Sequence, residues 1–220
     1  MSHGTTGRSG GLLVVLDADS TLIREEAIEL LAEAAGSLEH VAAVTERAMR
    51  GELDFAASLR ERVATLAGLP VTDVLAARAR LTPTAGVEEL ISGVHAAGGR
   101  IGVVSGGFHE LLDPLAERLG LDFCRANRLE VEGDRLTGRV LGDIVDAEAK
   151  RRALEEWSAA SGTPLTRTIA VGDGANDLRM LERAALGVAF CAKPVVRAQA
   201  DVAIDRVDLS GVLALAGLRG

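Results

Sequence analysis

Aromatic residues and lysine are nearly missing from this 220-residue chain. It has no tyrosine, one tryptophan and four phenylalanines, and only Lys150 and Lys193 stand among its 24 basic residues. So few rings argue against a stacking platform for nucleic-acid bases. Cysteine is equally scarce: Cys124 and Cys191 lie far apart, without metal-site spacing, and read as two buried thiols in a reducing compartment. No apolar run approaches the roughly 18 residues of a membrane span. Positive charge is also short, since 32 acidic residues leave a net charge of -8. That balance excludes a general binder of nucleic acid or anionic membrane, while leaving room for one local cationic pocket. What remains is ordinary globular composition, 48% hydrophobic and 25% charged, in a chain long enough to bury a substantial core.

Residues 1–11 are small and polar and read as a disordered tail without a secretory pattern, so a cytoplasmic location is expected. Leu12–Leu16 is a short apolar run stopped by Asp17, as suits a parallel strand buried on both faces. From about Arg24 to Arg80 the periodicity is helical. Four helices are expected there: one with Ile28, Leu31, Ala32 and Ala35 on one face and Gly36 as its stop, then Leu38–Arg50, Asp54–Ala67 (with Asp54 as N-cap), and a fourth after Pro70 that runs through Val74 and Leu75 to Leu81. After Thr82-Pro83 strands and helices alternate, with strands at Ile101–Val104, Thr168–Val171, Val188–Cys191 and Val202–Ile204. Residues 122–141 read as short strands turning at Gly133-Asp134. The fold class implied is α/β, a doubly wound parallel sheet, with a small helical domain inserted after the first strand. The expected domains are a core of residues 12–22 plus 83–220 and a helical insertion of residues 23–82.

In such a sheet, ligands bind beyond the carboxyl ends of the strands. Three of those ends carry unusual polar sequence: Asp17-Ala18-Asp19-Ser20-Thr21, Ser105-Gly106-Gly107, and Gly172-Asp173-Gly174-Ala175-Asn176-Asp177. Each alone has a plain structural explanation as a cap, an Asx-turn or a glycine turn. The third also resembles the opening of a calcium loop, but Ala184 stands where that loop needs its bidentate glutamate. Together, the three would bring Asp17, Asp19, Asp173 and Asp177 to one sheet edge, where carboxylates without a counter-charge repel one another. A hard divalent cation resolves that conflict, and Mg²⁺ commonly binds through a few carboxylates and phosphate oxygens. Ser105 and the N–H groups of Gly106 and Gly107 offer donors to a phosphate, and Lys150 offers positive charge.

The order DADST, SGG, a later lysine and GDGAND resembles the haloacid dehalogenase-like phosphatases, over roughly Leu12 to Ile204. The serine-threonine after Asp19 and the insertion after the first strand resemble the phosphoserine phosphatase branch in particular. The resemblance implies that Asp17 is the nucleophile, forming an aspartyl-phosphate, and that Asp19 is the general acid and then the base. It further implies Mg²⁺ held by Asp17, the carbonyl of Asp19 and Asp173, with Asp177 supporting from behind. Ser105, Gly106, Lys150 and Asn176 would hold the phosphoryl group. Lys193, beside Pro194 at a strand end, reads as structural or as supporting the site from behind, without a catalytic role.

The same resemblance makes the helical insertion a cap that selects the substrate. Glu26 and Arg62 would read the ammonium and carboxylate of phosphoserine, although both sit on charged helices of the kind that usually face solvent. Phe55 and Met49 are equally suited to line the pocket or to fill the insertion's own core. The expected partner is therefore a small molecule, phosphoserine, and neither nucleic acid nor a membrane; the expected pathway role is the last step of serine biosynthesis. Transfer to homoserine instead of water, or another small phosphomonoester, stays open at this level. A phospho-accepting receiver module shares the acidic residues but lacks the insertion and the SGG segment, and a binding relative without catalysis would not keep every polar position filled.

Overall fold

The structure, a computed structural model, describes residues 11–218; all of the expected tail at 1–11 except Gly11 lies outside the described residues. Among the described residues seven strands form one sheet: β1 (Leu13–Leu16), β2 (Arg100–Phe108), β3 (Phe123–Glu132), β4 (Arg135–Leu141), β5 (Thr168–Gly172), β6 (Leu186–Phe190) and β7 (Val202–Ile204). Their order is β4-β3-β2-β1-β5-β6-β7, parallel throughout except where β3 and β4 make an antiparallel hairpin. The helices, in chain order, are α1 (Ala27–Ala34), α2 (Leu38–Met49), α3 (Phe55–Ala64), α4 (Val71–Arg78), α5 (Val87–Ala96), α6 (His109–Leu119), α7 (Ala147–Ser161), α8 (Leu178–Arg183), α9 (Pro194–Arg197) and α10 (Gly211–Leu215). Among the described residues no helix is long and apolar enough to cross a membrane.

The two-sided burial of β1 follows from its unbroken apolar sequence. Val14 and Leu16 point into one cluster with Leu90 and Val94 of α5 and Val212 of α10. Leu13 and Val15 point into the opposite one with Leu154 and Trp157 of α7 and Met180 of α8. Alternation of side chains across a strand thus builds helical layers on both faces. Chain connections leave β1 toward β2 on one side and return to β5 on the other, so the sheet's topology reverses at β1. That is where a crevice opens beyond the strand ends.

The helices α1 to α4 share a third apolar cluster with the sheet's outer part: Leu31, Leu59, Val63 and Leu66 pack with Phe108, Leu111, Leu129 and Leu136. Backbone bonds fasten this contact, since Gly68 N–H donates to Leu136 O (2.8 Å), Leu136 N–H to Leu69 O (2.9 Å) and Val71 N–H to Asp134 O (2.8 Å). At the other end Ile23 pairs antiparallel with Pro83, where the chain leaves the core and comes back to it.

Three local expectations need correction. The first helix begins at Ala27, because Arg24 N–H bonds Thr82 O and the Glu25 carboxylate takes Thr82 N–H, holding the chain extended before it. The second strand does not stop before SGGF; β2 runs on to Phe108, whose buried ring anchors it. Cys124 is half-buried and Cys191 exposed, because Cys191 falls just past the end of β6 in a left-handed turn (φ 46°).

Candidate active site

Register fixes the acidic cluster. Leu16 lies opposite Val103 on β2 and Val171 on β5, so the next residues of all three strands emerge at one edge. Asp17 N–H still bonds Val171 O (2.9 Å), which holds the first carboxylate against the end of β5. Asp17 and Asp19 both keep extended backbone, and Ser20 then turns left-handed (φ 56°). Asp19 Oδ1 accepts the N–H of Ala27, the first residue of α1. After β5 the GDGAND segment folds back on itself: Asp177 Oδ2 accepts from the N–H groups of Asp173 (3.1 Å) and Gly174 (2.9 Å). Gly172 is required for this, since a Cβ there would lie 2.4 Å from Asp177 Oδ2.

Lys150, on α7, is fully buried beneath these acids. Its Nζ donates to Asp17 Oδ1 (2.6 Å) and Asp177 Oδ1 (2.7 Å). Burial opposes its charge, yet the two carboxylates prevail and hold the ammonium above its ordinary range. Asp17 is pushed well upward by burial and by Asp177, with Lys150 opposing. Asp19 is raised to about 7, by burial and then by Glu26. Asp173 is raised to about 6 by burial, Asp177 and Glu26. The edge therefore carries more negative charge than Lys150 offsets.

A cavity of about 450 Å³ opens above this edge. Asp17, Asp19, Asp173 and Asn176 line its floor, together with Gly106 and Gly107. Its other wall comes from the helical segment: Glu26, Met49, Phe55 and Arg62 all line it. The ring of Phe55 closes on the end of β2, where a Cβ on Gly106 would come within 2.7 Å of it. Burial lowers the Arg62 pKa, while Glu26 and Asp19 favour its charge.

Ser105, Lys150 and Asp177 do not line the cavity but sit in the layer behind it, all three fully buried. Ser105 Oγ accepts the Gly107 N–H at 2.8 Å, so that amide, expected as a phosphate donor, is already engaged. The oxygens of Asp177 are engaged too, one by Lys150 and one by two backbone N–H groups. One carboxylate oxygen from each of Asp17, Asp173 and Asp177 lies within 4.8 Å of the others. Three crowded acids, two of them raised in pKa, fit a hard divalent cation, and the engaged oxygens of Asp177 suit it to support.

Sequence reasoning missed three residues here. Lys193 lines the cavity beside Asp173. Ser20 Oγ donates to Glu26 Oε1 at 2.8 Å and so fixes that carboxylate. Asn127, buried on β3, donates from its amide nitrogen to Gly106 O and accepts from Val145 N–H, both at 2.8 Å, tying the end of β2 to the approach to α7. An amide inside a strand run was the only signal for it.

A second cluster, His109, Asp113 and Cys124, has metal-ligand residue types. It is satisfied without an ion. His109 Nε2 accepts the Ala126 N–H, which leaves Nδ1 protonated and donating to Asp113 (2.6 Å), while Cys124 Sγ also donates to Asp113. Burial and Asp113 push that thiol up to about 12, away from the thiolate a metal needs.

The haloacid dehalogenase-like hydrolase family model matches residues 14–182. A phosphoserine phosphatase of Streptococcus thermophilus is 51% identical over 91% of this chain and 94% of its own length. One from Streptomyces coelicolor is 55% identical over 94% of this chain, which spans only 50% of that longer relative. The solved structure of a phospho-aspartyl intermediate analogue of phosphoserine phosphatase superposes with a TM-score of 0.88 at 43% identity, covering 93% of this chain and 98% of its own. On this likeness in sequence and fold the chain belongs to the haloacid dehalogenase-like hydrolases, in their phosphoserine phosphatase branch.

Proposed function

We propose that the chain hydrolyses O-phospho-L-serine to L-serine and phosphate through an aspartyl-phosphate on Asp17, a reaction that would complete serine biosynthesis. The observation that carries this reading is the pairing, across one cavity, of the acidic edge with Glu26 and Arg62. Phosphoserine offers a phosphate, an ammonium and a carboxylate, and the cavity offers a counterpart to each. Residues 23–82 act as the cap that supplies those two charges and shields the phosphoryl site from water.

A carboxylate oxygen of Asp17 attacks phosphorus while the P–O bond to serine breaks, and Asp19 delivers its proton to the departing serine oxygen. Asp19 then takes a proton from water, whose oxygen displaces Asp17 and releases phosphate. A pKa near 7 suits Asp19 to both directions of transfer. Gly106 and Asn176 would hold the phosphoryl group from the cavity floor, with Ser105 and Lys150 acting from the layer directly behind it, and Asp17, the Asp19 carbonyl and Asp173 would hold Mg²⁺, with Asp177 behind. When bound, the cation would neutralise charge on the transferring group.

Phosphate release should be seen with L-phosphoserine and Mg²⁺, should stop in EDTA, and should be far weaker with phosphothreonine or simple sugar phosphates. Equal rates on all of these would remove the substrate assignment; accumulation of phosphohomoserine when homoserine is added would make the chain a transferase. Arg62→Ala should lower kcat/KM for phosphoserine about 10²-fold, the scale of one bidentate charge-assisted contact. A phosphomonoester lacking a carboxylate should hardly change, and equal losses on both would exclude Arg62 as the carboxylate reader.

A further inference from the structure

Lys193 is the second of the chain's two lysines, and it too reaches the site. It follows β6, and its backbone N–H donates to Asp173 O (3.2 Å), which sets the start of α9 against the GDGAND turn. Its side chain is exposed and lines the cavity on the Asp173 side. Neighbouring Arg197 is paired with Asp205, but Lys193 has no ion pair among the described residues.

A phosphate dianion approaching this cavity meets Asp17, Asp19, Asp173 and Glu26, all acidic. Only two cationic side chains line the same cavity among the described residues, Arg62 and Lys193. Arg62 comes from α3 on the opposite wall, and Lys150 is sealed beneath the floor with two of its protons committed to carboxylates. We propose that Lys193 is a second phosphate-binding cation, reaching the dianion from the cavity mouth in the bound ester and in the bound phosphate product. A compact ammonium on a flexible stem suits a contact reached from the mouth. The inference rests on the phosphatase reading above, but its test does not require phosphoserine to be the substrate.

The probe is inorganic phosphate with Mg²⁺, titrated calorimetrically against wild type, Lys193→Met and Lys193→Arg. Lys193→Met should weaken phosphate binding about twofold to fivefold, the range of one solvent-exposed charge contact. KM for the preferred ester should rise in parallel while kcat changes less than about twofold, since the contact is made equally in ground and transition states. Lys193→Arg should keep most of the affinity, and Tm should be unchanged in both variants. The loss in Lys193→Met should shrink between about 20 and 200 mM salt, as screening removes the wild type's advantage. Unchanged phosphate affinity in Lys193→Met would overturn the proposal. So would equal losses in both variants accompanied by a lower Tm, which would mark a structural lysine.

Discussion

Asp17→Asn should abolish turnover, with kcat falling on the order of 10⁴-fold or more, the scale at which removing a nucleophile leaves only residual binding effects. The substitution is nearly isosteric, so the amide oxygen can keep the hydrogen bond from Lys150 that Asp17 Oδ1 now accepts. Stability should not fall with activity. The Asp17 carboxylate is buried beside Asp177 and is pushed well above its ordinary pKa, so its negative charge is unfavourable in the folded protein. A neutral amide removes that repulsion, and Tm measured in EDTA should hold or rise. Acid-quenched wild type incubated with phosphoserine should carry one added phosphoryl group by intact mass, and Asp17→Asn none. Retained turnover in the variant, or a phosphoryl group on another residue, would move the nucleophile elsewhere.

The motifs disclosed the acidic edge because each sits at a strand end, and strand ends of a parallel sheet converge. DADST and GDGAND needed only the LLVVL and TIAVG runs before them to be placed side by side. Glu26 and Arg62 were much harder, since their charged helices look like solvated faces; only the resemblance singled them out, and the cavity now contains both. What stayed hidden was non-local. That β2 passes through two glycines depends on Phe108 being buried against Leu111 and the helical segment, which no local propensity encodes. The clasp between Gly68–Val71 and the β3–β4 hairpin joins backbone groups that leave no trace in side-chain pattern. Cys191 was misjudged because compartment usage describes thiols on average, while its exposure depends on a left-handed turn just after β6.

Lys150 carries the other large effect, and its surroundings separate shape from charge. The side chain is wholly buried, with Nζ 2.6 Å from Asp17 and 2.7 Å from Asp177. Lys150→Arg keeps the charge but must fit a wider, planar group into that space. Overpacking of about 1–3 kcal/mol is expected, or a Tm lower by roughly 2–12 °C in a chain of this size. Because the displaced groups include Asp17, kcat should fall about 10²-fold, as sub-ångström to ångström misplacement does in aligned reactions. Lys150→Met nearly keeps the shape and removes the charge, leaving Asp17 and Asp177 buried together without a counter-ion. Breaking such a buried pair costs about 3–5 kcal/mol near neutral pH. The cost should depend on pH in a defined direction. A carboxylate whose folded pKa lies above its unfolded value binds a proton more tightly when folded, so stability is gained below the folded pKa and lost as pH rises through it. Lys150→Met in EDTA should accordingly lose less Tm at pH 5 than at pH 8, relative to wild type. Full activity and unchanged Tm in Lys150→Arg would mean that the buried site tolerates either base. The near-absence of lysine elsewhere in the chain would then have no bearing on catalysis at this position.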